Sequence, residues 1–428
     1  VTPSHRADTP RHENEGHGHG HGGTPDEPPT PEIAAVRRRA TTMLLLIVVP
    51  LAMATALGVL LLWPDGNGPQ DRNLDTTYVT PGGTLLDATV TKLETFPCGA
   101  GDDAPQTPGD DDLTCVRAQV HLDTGPQQGK TVTIDLPPEL NRAGIDTKDR
   151  IRLLHVPVGD DQEDYYAFVD FIRGIPMIWL AIAYAIVVVA VARLRGLRAL
   201  LGLGLAYVML VLFMLPALLD GENALLVGLV GSSAIMFVVL YLAHGLSART
   251  TTALLGTLFG LIVTALLAWW ATDATQLSGI GGDNAWILLS SSRTLDLSEI
   301  VLCGIILAGL GVLNDVTITQ ASAVWELYEL SPTMSAKRLF AGAMRIGRDH
   351  IASTVYTIAF AYAGAALPVL LLISLYQRPF TTAITSGDLA EEVVRTLVGS
   401  IGLVLAIPIT TAIAVAVVKA VGTTPTRS

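Results

Sequence analysis

Long apolar runs recur along the chain, and their lengths predict how it is built. The first, Met43 to Leu62, would rise about 30 Å as a helix, the thickness of a bilayer's hydrocarbon core. Beyond residue 174, apolar runs alternate with short connectors, which predicts further spans near 175–192, 198–219, 224–243, 251–271, 299–319, 350–376 and 392–418. Between the first two spans the period changes to two. Asp87–Leu93, Val116–Leu122, Thr131–Leu136, Arg150–Leu154 and Tyr165–Val169 alternate polar and apolar residues between Gly, Pro and Asp, as short strands do. The expected fold is an α-helical polytopic membrane protein of about eight transmembrane helices. A small β-rich extracytoplasmic domain, OB-like or a small sandwich, lies between the first and second spans.

This pattern divides the chain into a tail (1–40), a first span (41–63), a β domain (64–172), a seven-helix membrane domain (173–419) and a second tail (420–428). Residues 1–32 are rich in Pro, Gly, Glu and His and have little to bury, so a disordered tail is expected. His17, His19 and His21 alternate with flexible glycine, which sets no metal geometry, and the Asp-rich connector 102–112 lacks the spacing of a calcium loop.

Half of the residues are hydrophobic and 15% are charged, and the net charge of -12 is concentrated in the tails and in 65–170. That excludes a soluble enzyme and a nucleic-acid binder. Arg193, Arg195, Arg198, Arg249, Lys337, Arg338, Arg345, Arg348 and Lys419 fall in alternate connectors, while Arg293 and Arg378 fall in the others. The positive-inside rule then puts both termini in the cytoplasm. In an extracytoplasmic β domain, Cys98 and Cys115 are expected to form a disulfide.

The chemistry-bearing stretch is Gly304 to Pro368. Asp315 lies sixteen residues after Glu299, about 24 Å down a core of about 30 Å, where an ionisable group is a hypothesis of function. Helical steps back from it meet Gly311, Ala308 and Gly304, a small-residue line that predicts close approach of another helix. Asn314, Thr319 and Gln320 surround the acid, and Thr354 and Thr357 line one face of the next span; these form the expected relay. Arg348, Asp349 and His350 form the expected inner gate, and Glu391 with Arg395 an outer i, i+4 pair. No phosphate-binding loop, His-Glu-x-x-His or Gly-x-Ser-x-Gly occurs, so neither an enzymatic reaction, a cofactor nor a metal is expected.

Gly309-Leu-Gly-Val-Leu-Asn314-Asp315-Val-Thr-Ile-Thr-Gln, Arg345-Ile-Gly-Arg348-Asp349-His350, Ala-Tyr362-Ala-Gly-Ala-Ala-Leu-Pro368 and Gly399-Ser-Ile-Gly-Leu-Val-Leu-Ala-Ile-Pro408 resemble the YibE/F family of multipass membrane proteins. The resemblance runs from the ectodomain to the eighth span; Tyr356 departs from it, standing where the family pattern carries Asn. A shorter likeness, an out-to-in helix ending in Gly311-Val-Leu-Asn314-Asp315 with a Ser/Thr-bearing return helix, is similar to the SecF branch of the RND superfamily. That resemblance implies an acid that relays protons. The expected function is proton-coupled secondary transport or export of a small solute or ion through Asp315 across the cytoplasmic membrane of a bacterium. The competing expectation is an envelope protein whose ectodomain binds a partner. The bilayer is the expected surrounding, and a homo-oligomer is compatible with the glycine-rich faces.

Overall fold

The computed structural model describes residues 31–64, 83–97, 114–137, 144–158, 164–280, 296–376 and 379–422, with the single positions 140, 285 and 288. The His-rich tail, the Asp-rich connector and Cys98 lie outside these residues. So, therefore, does the expected Cys98–Cys115 bond, of which Cys115 alone is described, at the start of a strand.

All five expected strands form. β1 (Thr84–Pro97), β2 (Thr114–Leu122), β3 (Thr131–Leu136), β4 (Arg150–Val156) and β5 (Tyr165–Phe171) make one antiparallel sheet in the order β3-β2-β1-β4-β5. The long β1 serves two partners: Thr84–Thr89 pairs with β4 and Ala88–Pro97 with β2, with a bulge between Val90 and Lys92. A bulge bends a strand and increases its twist, and here the sheet curls until β3 comes close to β5. The alternation seen in the sequence sets the register, because every second side chain enters one core. Val116, Ala118, Val120, Leu122, Ile151 and Leu153 are almost wholly buried there.

The helical part opens with α1 (Pro31–Leu61) and continues after the sheet with α2 (Gly174–Leu219), α3 (Ala224–His244), α4 (Ala248–Ala274), α5 (Leu297–Leu330) and α6 (Ala336–Ala365). Then come α7 (Leu367–Leu375), α8 (Phe380–Ile384) and α9 (Gly387–Gly422). Six of these are long and apolar enough to cross a membrane, and α6 with α7 forms a seventh candidate bent by 63°. Exposed side chains such as Leu46, Trp179, Leu180 and Val191 give α1 and the start of α2 an apolar outer surface.

α2 is not one straight rod. Its 46 residues would reach about 69 Å, twice a bilayer core. Arg193 has φ 53 and ψ -132, outside the helical region. A Cβ added to Gly196 would lie 2.5 Å from the Val188 carbonyl oxygen, although residues eight apart on a straight helix are separated by about 12 Å. The chain therefore folds back at Arg193 into two arms. Its second arm includes a π turn at Leu210–Met214 before Pro216.

α4 is the centre of the helical part, packed against α5 and α9. Glycines make that seam close. A Cβ on Gly256 would meet Thr410 Oγ1 at 2.0 Å, one on Gly402 would meet Thr264 Oγ1 at 2.1 Å, and one on Gly260 would touch Leu313 and Ala406. The α5 face that enters this seam carries Gly309, Leu313, Val316, Thr317 and Gln320. The expected line of Gly304, Ala308 and Gly311 is on a different face: nothing lies within 4 Å of a Cβ built on Gly304 or Gly311. Small residues permit close approach, but the larger buried apolar stripe decides which face is used.

α5 outlasts the bilayer. Its 34 residues reach about 51 Å, and it continues without a break past Asp315 to Leu330. α6 restarts only five residues later behind the Ser335 cap. Val324, Trp325 and Tyr328 pack there with Leu339, Ala343, Val417 and Val418.

Candidate functional site

Two cavities open at opposite ends of the α4–α5 pair. The larger, ≈ 1110 Å³, surrounds the start of α4, where the Ser247 hydroxyl caps the helix by accepting from the Thr250 amide at 3.1 Å. Arg38 of α1, Arg195 and Arg198 of α2 and Arg249 of α4 converge on it. Arg195 and Arg198 share one connector and Arg249 belongs to another, both grouped on one side by the positive-inside pattern, while Arg38 precedes the first span. Arg249 Nη1 lies 3.9 Å from Glu326 Oε1. The smaller cavity, ≈ 790 Å³, surrounds the end of α4 and the start of α5 and is lined by Asp273, Asp296 and Glu299. One mouth is basic and the other acidic.

Asp315 belongs to the basic end, though not in the expected way. Its side chain is exposed on α5, where a neighbouring helix was expected to cover it. Asp315, Thr319, Ser322 and Glu326 follow at i, i+4, i+7 and i+11, so they share one face. The last three line the basic cavity, and Asp315 stands one turn, about 6 Å, further along the same stripe. The Thr319 hydroxyl donates to the Asp315 carbonyl at 2.7 Å.

The other expected relay residues separate. Gln320 is 1% exposed and its Nε2 donates to the Ala343 carbonyl at 3.0 Å and to Thr411 Oγ1 at 2.6 Å, joining α5, α6 and α9. Asn314 Oδ1 is buried without a hydrogen-bond partner. Thr354 is half-buried, while Thr357 is exposed and donates to the Ser353 carbonyl at 3.1 Å. Of the expected gate, His350 lines the basic cavity. Arg348 and Asp349 are exposed, with Arg348 Nε donating to the Met344 carbonyl at 3.2 Å. At the far end Arg395 pairs with Glu392, three residues away.

The sequence reading overlooked α4. Thr250, Thr251, Thr252, Thr257 and Thr264 are all buried, as are Thr317 of α5 and Thr410 and Thr411 of α9. Thr257 and Thr317 hydroxyls are 2.6 Å apart. Near the acidic mouth, the Thr272 hydroxyl is buried without a partner. The available signal was Gly256, Gly260 and Thr264 at i, i+4 and i+8, a small-residue seam hidden by the attention that a lone carboxylate draws.

The β domain holds a polar cluster of its own. His155, 6% exposed, brings Nε2 to 2.9 Å from Asp164 Oδ2, with its ring stacked on Tyr166 at 4.9 Å between centroids. Asp164 also accepts from Gln127 Nε2 at 2.5 Å. The close contact with His155 holds the Asp164 carboxyl below its ordinary value against a smaller desolvation effect, and burial pushes the Tyr166 phenol up. Among the described residues, no three His, Cys, Asp or Glu side chains gather as a metal site.

No curated protein and no solved structure matches the chain. The sequence model of the family described as YibE/F-like protein matches residues 180–420, a narrower reach than the motif resemblance, since it begins beyond the β domain. It covers more than half of the chain and runs through α5, α6 and α9, which carry the quoted motifs; the chain belongs to the YibE/F family.

Proposed function

We propose that the protein is a proton-coupled secondary transporter or exporter of a small solute or ion in the cytoplasmic membrane of a bacterium. The observation that carries this reading is the stripe from Asp315 through Thr319 and Ser322 into the basic cavity. Counting α2 as two crossings and α6 with α7 as one gives eight spans and cytoplasmic termini. The arginine-lined mouth then faces the cytoplasm. Asp315 is eighteen residues from Leu297, about 27 Å along α5, and so sits at the deep end of an inner vestibule. A carboxylate there is costly unless it meets water or takes up a proton. Exchange with vestibule water makes it the loading site, and the short likeness to the SecF branch supplies an analogy for such a relay. The curled sheet, with β1 shared between β2 and β4, reads as a partly open barrel of the OB type.

The dry seam of α4, α5 and α9 favours the other reading, in which the helices anchor a partner-binding ectodomain. Solute and metal contents of cells carrying the wild type, a deletion and Asp315→Asn separate the two. Transport through Asp315 requires a solute whose level shifts in the deletion and remains shifted in Asp315→Asn. A normal level in Asp315→Asn would remove the acid from the mechanism, and unchanged contents in the deletion would leave the anchor.

A further inference from the structure

We propose that the basic cavity is a binding site for a phosphate-bearing anion. Its walls have more donors than acceptors. Arg38, Arg195 and Arg198 have no carboxylate partner among the described residues, and Arg249 reaches Glu326 only at 3.9 Å. Two glutamates, Glu326 and Glu329, stand against four arginines. A separate observation points the same way. Trp325 lines the cavity and is 2% exposed, yet its indole N–H, a donor only, has no acceptor. A buried donor without a partner costs free energy, which an acceptor entering the cavity recovers once the side chains covering that N–H are displaced.

The floor is the first turn of α4, a helix of 27 residues whose amino end favours negative charge. Guanidinium groups arriving from three elements match an oxyanion with several acceptor atoms better than a single carboxylate, because each can present two parallel N–H groups. Leu246, Ile346 and Leu330 form an apolar side to the same cavity, which accommodates an organic substituent on the phosphate. The same chemistry is offered by the headgroup of an anionic phospholipid and by a soluble phosphate ester. Binding there does not depend on proton relay through Asp315, and its test reads occupancy rather than flux.

Full-length protein in detergent is titrated with inorganic phosphate against chloride at matched ionic strength, and its melting temperature is followed. In parallel, protein in nanodiscs of phosphatidylcholine with and without phosphatidylglycerol is analysed by native mass spectrometry for retained lipid. Stabilisation by phosphate beyond chloride assigns a soluble ligand, and selective retention of phosphatidylglycerol assigns a lipid headgroup; either supports the site. Arg195→Ala with Arg198→Ala is expected to weaken the effect about tenfold, and Trp325→Phe to weaken it without altering net charge. Equal responses to phosphate and chloride with no lipid selectivity would overturn the proposal. So would wild-type binding in both variants, and the wild-type arms decide even if a variant fails to fold.

Discussion

Gln320 and Asp315 are five residues apart on α5 and meet opposite surroundings. Gln320 joins three helices through two hydrogen bonds, so Gln320→Leu should lower stability by about 1–3 kcal/mol, read as thermal unfolding in detergent. Asp315→Asn should change stability by less than about 0.5 kcal/mol in the same measurement, because its side chain is exposed. A large loss in Asp315→Asn would mean that the acid is structural. The place of Asp315 on a long apolar helix was legible from the run before it, but its facing was not. Counting helical steps finds which residues share a stripe, whereas contacts with other helices decide which stripe is covered. In the β domain, the lowered carboxyl value of Asp164 means that its contact with His155 stabilises the sheet above the ordinary value of 3.8 and is lost as pH falls through the lowered one. Acid titration of the strand circular dichroism should show this component in the wild type and not in Asp164→Asn.

Close packing of elements gives a second set of expectations. Adding a methyl group at Gly256 or Gly402 drives it into Thr410 or Thr264, so Gly256→Ala and Gly402→Ala should each cost about 1–3 kcal/mol in thermal unfolding. Gly311→Ala, with open space around it, should be neutral or stabilising by up to about 1 kcal/mol as a helix-interior replacement. The opposite ranking would restore the small-residue line of Gly304, Ala308 and Gly311 as the packing face. Strands were legible because a half-buried sheet imposes strict alternation, seen in Arg150–Leu154. The reversal at Arg193 was legible as charge interrupting an apolar run, although the backbone stays helical almost up to it. That α5 runs unbroken to Leu330 was not, since helical spacing after Asp315 does not tell one continuous helix from two, and the packing of Trp325 and Tyr328 against α6 and α9 decides it.

At the level of the molecule, the arginines of the larger cavity and the acids of the smaller one lie at opposite ends of α4 and α5. Arg198→Cys should therefore react with a membrane-impermeant maleimide in inverted vesicles, and Ser278→Cys, in the lining of the smaller cavity, in intact cells. The reverse result would invert the proposed topology. The alternation of basic connectors made this grouping legible, but no periodicity could show that residues as distant as Arg38 and Arg249 share one cavity, because convergence is a property of the folded chain. The separation of charge also has an electrical consequence. In a cell whose interior is negative, each positive charge kept at the inner face and each negative charge kept at the outer face is favoured by about 2.3 kcal/mol per 100 mV for a full crossing. In the proposed orientation the resting voltage pulls the two poles of the α4–α5 pair in opposite directions, which would hold that orientation and make any shift of those helices along the membrane normal sensitive to potential.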